Sequence, residues 1–254
     1  MITEHPSFKA PPDQTISVWH YTRSDRLLWA LENDSLHFSR VDSFNDQDEG
    51  FYTRALEEWD EFFDPIMPKD LDKFPVGKQI RRDTRMARLR AQTQMIRQSA
   101  YVHCWSMNTA ECRKMWKGRD VCIRSDYNTL SKVLPTPSHL GCIVYIDMER
   151  DKIDTKNALN LVMRKDREKY SFERELRAII WKPVEARLPY PPNGEFGIVV
   201  PVKLNQLVKE IRVALCAGAA LRDSVESRVR GCGLDVSVRQ SELMPECSEE
   251  PLFG

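Results

Sequence analysis

Thr15-Ile-Ser-Val-Trp-His20 alternates apolar and polar positions with the period of two that a half-buried strand requires. Ser24-Asp-Arg-Leu-Leu-Trp-Ala-Leu-Glu-Asn33 follows with helical spacing and Ser24 as its N-cap, and Leu36-His-Phe-Ser-Arg40 returns to strand. This strand, helix, strand unit leads into the polar turn Asp42-Ser-Phe-Asn-Asp46. Residues 1–14, with Pro6, Pro11 and Pro12, precede the first periodic segment and read as a flexible arm.

Two charged blocks of opposite sign come next. Residues 46–64 carry Asp46, Asp48, Glu49, Glu57, Glu58, Asp60, Glu61 and Asp64 against Arg54, with Phe51, Trp59, Phe62 and Phe63 at helical intervals, which predicts an acidic amphipathic helix. Residues 78–98 carry Lys78, Arg81, Arg82, Arg85, Arg88, Arg90 and Arg97 against Asp83. There Met86, Leu89, Thr93 and Ile96 define one helix face and Arg81, Arg85 and Arg88 another. The plain expectation is that these arginines face water or the acidic block; the alternative is a basic face for RNA or a protein partner.

Beyond this helical insertion, strands are expected at 99–106, 121–123, 141–146, the second half of 172–181, 196–200, 211–215 and 234–238. Helices are expected at 111–116, 155–169 and 218–230. A Pro/Gly-rich loop occupies 183–197, and the end from Pro245, with Glu246, Glu249 and Glu250, reads as a disordered acidic tail. The order implies one α+β domain over 15–240, with a mixed, mainly antiparallel central sheet flanked by helices.

Composition narrows the function classes. Lys+Arg and Asp+Glu both number 38, so no bulk charge marks a nucleic-acid coat or an anionic-membrane binder. No run approaches 18 apolar residues and the start lacks a leader pattern, so a soluble, cytoplasmic chain without membrane contact is expected. Seven scattered cysteines read as reduced thiols, and five histidines without ligand spacing predict no structural zinc. Cys104 beside His103 suggests a thiol nucleophile only superficially, because neighbouring strand residues point to opposite faces; a structural cysteine is expected. Gly-x-Gly-x-x-Gly after a strand, Gly-Lys-Ser/Thr and Gly-x-Ser-x-Gly are all absent.

Candidate chemistry lies in separated polar motifs. His20 and Thr22 of Trp19-His-Tyr-Thr22 fall on one face of the first strand, where one ligand could meet both; alternatively they serve local backbone groups. Glu173-Arg-Glu-Leu-Arg177 in extended conformation puts Glu173, Glu175 and Arg177 on one face. Two carboxylates beside a guanidinium can hold sugar hydroxyls and stabilise an oxocarbenium-like centre, or form only a solvated salt-bridge ladder. Aromatic groups at Trp105, Met115-Trp116 and Tyr21 are core residues unless a ligand lies opposite them.

In order, Trp-His-Tyr-Thr, Phe44-Asn-Asp46 with Glu49-Gly50, Cys104-Trp-Ser106, Met115-Trp116, Val121-Cys-Ile123 and Glu173-Arg-Glu-Leu-Arg177 resemble the bacterial family catalogued as domain of unknown function 2971, over residues 17–240. Asp46-Gln-Asp-Glu-Gly50 departs from that family's usual Asn-Asp-Pro-Phe-Glu. More distantly the chain is similar to ADP-ribosyltransferases, whose sheet is split and whose motifs match His20-x-Thr22, Phe38-Ser39 and Glu173-x-Glu175. That resemblance implies NAD as a substrate, a nucleotide-type ligand, a protein or nucleic-acid acceptor, and a toxin or phage-defence role. Taken together, these readings give catalytic roles to His20, Glu173 and Glu175, with Tyr21, Thr22, Ser39, Arg40, Asn45, Trp105, Ser106 and Arg177 as binding residues. A lower-ranked reading is a metal-dependent nuclease using Asp46, Glu49 and Glu173.

Overall fold

The computed structural model describes residues 2–46, 48–57, 75–154, 157–182 and 196–243. In chain order these form β1 (Ser17–Thr22), α1 (Ser24–Asn33), β2 (Ser35–Arg40), α2 (Arg54–Glu57), α3 (Pro75–Ser99), β3 (Ala100–Ser106), β4 (Val121–Asp126), α4 (Tyr127–Val133), β5 (Ser138–Cys142), β6 (Val144–Ile146), α5 (Leu159–Val162), β7 (Arg164–Asp166), α6 (Arg167–Tyr170), β8 (Glu175–Trp181), β9 (Gly197–Pro201), α7 (Leu204–Leu207), β10 (Glu210–Val213), α8 (Gly218–Gly231) and β11 (Ser237–Gln240). Among the described residues nine strands make one mixed, mainly antiparallel sheet, in which only β10 and β11 run parallel. The fold is α+β, as the alternation of apolar patterns predicts.

Strand β3 is the branch point. One of its edges pairs with β8 along its whole length, from Ala100↔Trp181 to Ser106↔Glu175, and β5 continues that side. The other edge is shared: β2 takes Tyr101 and Val102, whereas β1 meets β3 only at Trp19↔Ser106. Strand β1 then pairs over its full length with β4, followed by β10 and β11. The β1 and β2 arms therefore diverge across the middle of β3.

Both faces of the sheet are covered. On one face Val18, Phe38, Trp105 and Leu176 pack with Leu27, Leu31, Leu130, Val225 and Val229 from α1, α4 and α8. On the other, Val102 and Ile179 pack with Leu89 and Ile96 of α3 and Leu159 and Val162 of α5. Burying each such side chain contributes roughly 1.5–3 kcal/mol before conformational entropy is counted. In β8, Leu176, Ala178 and Ile180 enter the first cluster and Ile179 the second, so strand alternation turns Arg177 towards the second interior.

Several expectations require correction. The first residues are not a free arm: Thr3 N–H donates to the Ser138 carbonyl, Lys9 bridges to Cys142, and Phe8 lies against Gly141. Burial of Ser7 and partial burial of Phe8 provide the anchor. The helix expected over 155–169 is three pieces, α5, β7 and α6, because β7 pairs in parallel with β6 and Asp166 caps α6 by accepting from the Glu168 and Lys169 amides. At α1 the cap position is Arg23, and Ser24 instead donates from its amide and hydroxyl to Asp120.

The acidic block is helical only at α2 within the described residues, since 48–50 form a turn and Gly50 adopts φ +75°. Glu58 to Asp64, the loop at 183–195, and residues 244–254 with Cys247 lie outside the described residues. Helix α3 matches its expected span, but Arg85 is buried beside the stripe of Leu89, Thr93 and Ile96, to which its i to i+4 spacing assigns it. Arg97 is also buried and stacks over Phe51 at 4.7 Å, so these two arginines do not form an exposed basic face.

Candidate functional site

Where β1 leaves β3, a cavity of 760 Å³ opens, within the range of about 300–1,000 Å³ usual for small-molecule sites. Its wall includes His20, Thr22, Ser39, His103, Cys104, Trp105, Glu173 and Glu175. The imidazole of His20 takes the place of a missing strand contact: its Nδ1 lies 2.9 Å from the Cys104 carbonyl oxygen. A carbonyl only accepts, so Nδ1 carries the proton and Nε2 is left as an acceptor. The ring also sits 4.1 Å from the His103 ring and 5.4 Å from Trp105, giving the cavity an aromatic side. Burial pushes the His20 pKa down to about 4, with Arg119 and Arg26 adding to the shift against the opposing hydrogen bond, so the ring is neutral at pH 7.

The carboxylate side is built by a sharp turn. Arg174 lies in the left-handed region at φ 43°, between the 3₁₀ turn ending at Glu173 and the start of β8. Such a conformation in a side-chain-bearing residue costs about 1–2 kcal/mol and persists where surrounding contacts impose it. Here Ser106 Oγ donates to the Glu173 carbonyl at 2.7 Å, Asn108 donates to the Phe172 carbonyl at 3.0 Å, and the Glu175 amide donates to the Tyr145 hydroxyl at 2.7 Å. Glu173 is thus not part of the extended strand, contrary to the simple alternation argument.

A buried ion cluster results, centred on Lys165. Its ammonium is 2.7 Å from Glu173, 2.9 Å from Glu175 and 3.8 Å from Glu49. Arg177, fully buried, reaches Glu175 at 2.7 Å and Glu49 at 2.6 Å, and also donates to the Val162 carbonyl at 2.6 Å. Gly50 permits the turn that sends Glu49 inward: a Cβ there would stand 3.1 Å from Arg97. Burial alone would raise the Glu175 pKa, but Arg177 and Lys165 outweigh it and hold the carboxyl well below the usual range. Glu173, where burial prevails over Lys165, is shifted upward. Three carboxylates against two cations leave this end of the cavity with one formal negative charge.

Cys104 joins the two sides. Its carbonyl holds His20, while burial first and the neighbouring Glu175 charge next raise its thiol pKa and keep it protonated. It is a neutral connector and not a thiolate nucleophile.

The other expected site residues are placed as follows. Tyr21 borders the cavity, but its hydroxyl accepts from the Cys112 amide at 2.9 Å and its ring meets Trp116 edge-on at 5.1 Å. Its position is fixed by packing, so it does not serve as a free stacking surface. Arg40, Asn45, Ser106 and Arg177 do not line the cavity. Arg40 pairs with Asp42 at 2.6 Å, Asn45 is exposed, Ser106 fixes the 172–175 turn, and Arg177 supports Glu175 from behind.

Lys165 was hidden inside the helix expected over 155–169; the Asp166 cap was the signal that could have divided it. Among the described residues no group of three or more His, Cys, Asp and Glu side chains has metal-binding geometry. The acids named for a nuclease reading have protein partners: Glu49 and Glu173 are paired with cations, and Asp46 accepts from the Asp48 amide. Also among the described residues, no helix is long and apolar enough to cross a membrane. No family model matches the chain, and no curated protein or solved structure is significantly similar to it.

Proposed function

We propose that the cavity takes NAD⁺ and that the protein is an ADP-ribosyltransferase-type enzyme cleaving the bond between nicotinamide and ribose. The observation that carries this reading is that His20 and Glu175, from remote parts of the chain, line one cavity and are linked through Cys104. In the reaction the C1′–N bond breaks, its electron pair leaves with neutral nicotinamide, and C1′ gains oxocarbenium character. Water or an acceptor nucleophile then bonds to C1′ and loses its proton. The neutral His20 ring, accepting at Nε2, is suited to a ribose hydroxyl and adds no charge against the developing cation. Glu175 is ionised throughout the neutral range, and the single net negative charge of its cluster matches one developing positive charge. Trp105, buried beside His20, backs the apolar side of the cavity.

The test is to incubate the full chain with NAD⁺, alone and with protein and nucleic-acid acceptors, and to quantify released nicotinamide and transferred label. Wild type is expected to release nicotinamide and Glu175→Gln to be reduced by at least about 100-fold. Because Glu175 is buried, each variant's melting curve accompanies the assay, and His20→Asn is measured beside it. Absence of nicotinamide release from folded wild type, or a folded Glu175→Gln equal to wild type, overturns the reading.

A further inference from the structure

The mouth of the cavity differs sharply from its interior. Arg26 of α1 and Lys114, Lys117 and Arg119 of the segment between β3 and β4 all border it. Acids and bases are equally numerous in this chain, and several other cations are engaged: Arg124 and Arg212 with Glu210, Lys169 with Asp48, Arg228 with Glu32. At the mouth they are not. Among the described residues Arg26, Lys117 and Arg119 have no carboxylate within ion-pair distance; Arg119 donates to the Gly118 carbonyl, and Lys114 lies over the Phe172 ring at 5.1 Å. Asp25, an acid that also borders the cavity, is paired with Arg23 at 2.9 Å. The like charges act on one another, since Arg119 has its pKa lowered first by burial and then by Arg26 and Arg23. Bringing unneutralised cations together costs free energy that an anion recovers.

A second observation specifies what accompanies that anion. Trp29, three residues beyond Arg26 and hence on the same side of α1, also lines the cavity and is 36% exposed, whereas Trp19, Trp105 and Trp116 are buried. An indole left open at a cavity mouth provides a stacking surface for a planar base.

We infer that the mouth is a nucleoside-diphosphate subsite, with Arg26, Lys114, Lys117 and Arg119 holding the two phosphates and Trp29 stacking on the base. The inference deepens the proposed function, because it places the adenosine diphosphate half of the substrate outward and the scissile ribose inward, but it makes a binding claim of its own. The four cations exceed the two phosphate charges, so affinity falls as salt rises.

The experiment is calorimetric titration of wild type, Trp29→Ala and Arg26→Glu/Arg119→Glu with ADP, adenosine and inorganic pyrophosphate, with circular dichroism confirming the fold of each variant. ADP is expected to bind wild type more tightly than either fragment. Trp29→Ala is expected to weaken ADP by about 5- to 100-fold and leave pyrophosphate unchanged. The double charge reversal is expected to weaken ADP and pyrophosphate by at least about tenfold. No ADP binding by wild type, or ADP affinity within twofold of wild type in either variant, overturns the inference. The two claims fail separately. ADP binding with these sensitivities but no NAD⁺ cleavage retains the subsite and removes the enzyme reading; NAD⁺ cleavage with KM unaltered in both variants does the reverse.

Discussion

Replacing Lys165 by methionine keeps the aliphatic stem and deletes the charge at the centre of the cluster. The side chain is only 11% exposed and its ammonium contacts Glu173 and Glu175 at 2.7 and 2.9 Å, so solvent screens these pairs weakly. Without it, Arg177 alone faces Glu49 and Glu175, and Glu173 loses the ammonium it pairs with. Removing one member of such a buried arrangement costs about 3–5 kcal/mol. At roughly 2–4 °C per kcal/mol for a chain of this size, the melting temperature should fall by about 6–20 °C at pH 7. The control is Arg54→Ala, whose partner Glu149 is more than half exposed, with an expected loss of at most about 1 kcal/mol. The sign of the pH dependence follows. Glu175 has a lowered pKa in the fold, so its stabilisation is present above the unfolded carboxyl value and is lost as pH falls through the folded one. In the variant the carboxylates protonate earlier, so the gap from wild type is widest at neutral pH and narrows on acidification. Scanning calorimetry from pH 7 to pH 4 measures both effects. A Lys165→Met melting temperature indistinguishable from that of Arg54→Ala, or a gap that does not narrow, would refute the reasoning.

Other outcomes follow from the same structure. His20 is shifted from 6.5 to about 4, so the unfolded chain takes up the proton first as pH falls; stability is complete above about 6.5 and declines by about 3 kcal/mol towards pH 4. Denaturant curves should show that decline reduced by about this amount in His20→Asn, whereas an unchanged slope would argue against a desolvated neutral ring. Native-state alkylation followed by mass spectrometry should modify the exposed Cys216 and Cys232 well before Cys104 and Cys122, whose thiols burial holds protonated; early labelling of Cys104 would contradict its assigned role. A Cβ at Gly141 would meet the Phe8 backbone at 2.6 Å, so Gly141→Ala should displace the N-terminal segment and speed hydrogen exchange at the Cys142 amide, which now donates to the Lys9 carbonyl.

Local patterns were enough to locate β1, α1, β2, α3, β3 and α8, because each has either a period of two or a long helical stripe ending in polar groups or glycine. They also brought attention to His20, Thr22, Trp105, Glu173 and Glu175, all of which border the cavity. What local pattern cannot express is pairing across the chain. The divergence of β1 and β2 along β3 depends on register between remote segments, and so does the use of Cys104's carbonyl as the anchor for His20. Arg177 and Ser106 were expected to touch ligand because they share motifs with Glu175 and Trp105, yet alternation and the 172–175 turn place them behind the wall. Lys165 and the mouth cations gave no motif at all, since a single lysine in a charged stretch acquires meaning only from the carboxylates that three-dimensional packing places around it.

The central claim is that the gap between β1 and β3 holds a ribosyl nucleotide with its sugar between His20 and Glu175. A crystal structure of the full chain with bound ADP-ribose tests it most directly. The account predicts the inner ribose in the cavity, one hydroxyl donating to His20 Nε2 and the sugar against Glu175, with the diphosphate beside Arg26 and Arg119. Ligand seated elsewhere, or a sugar that touches neither His20 nor Glu175, would contradict it.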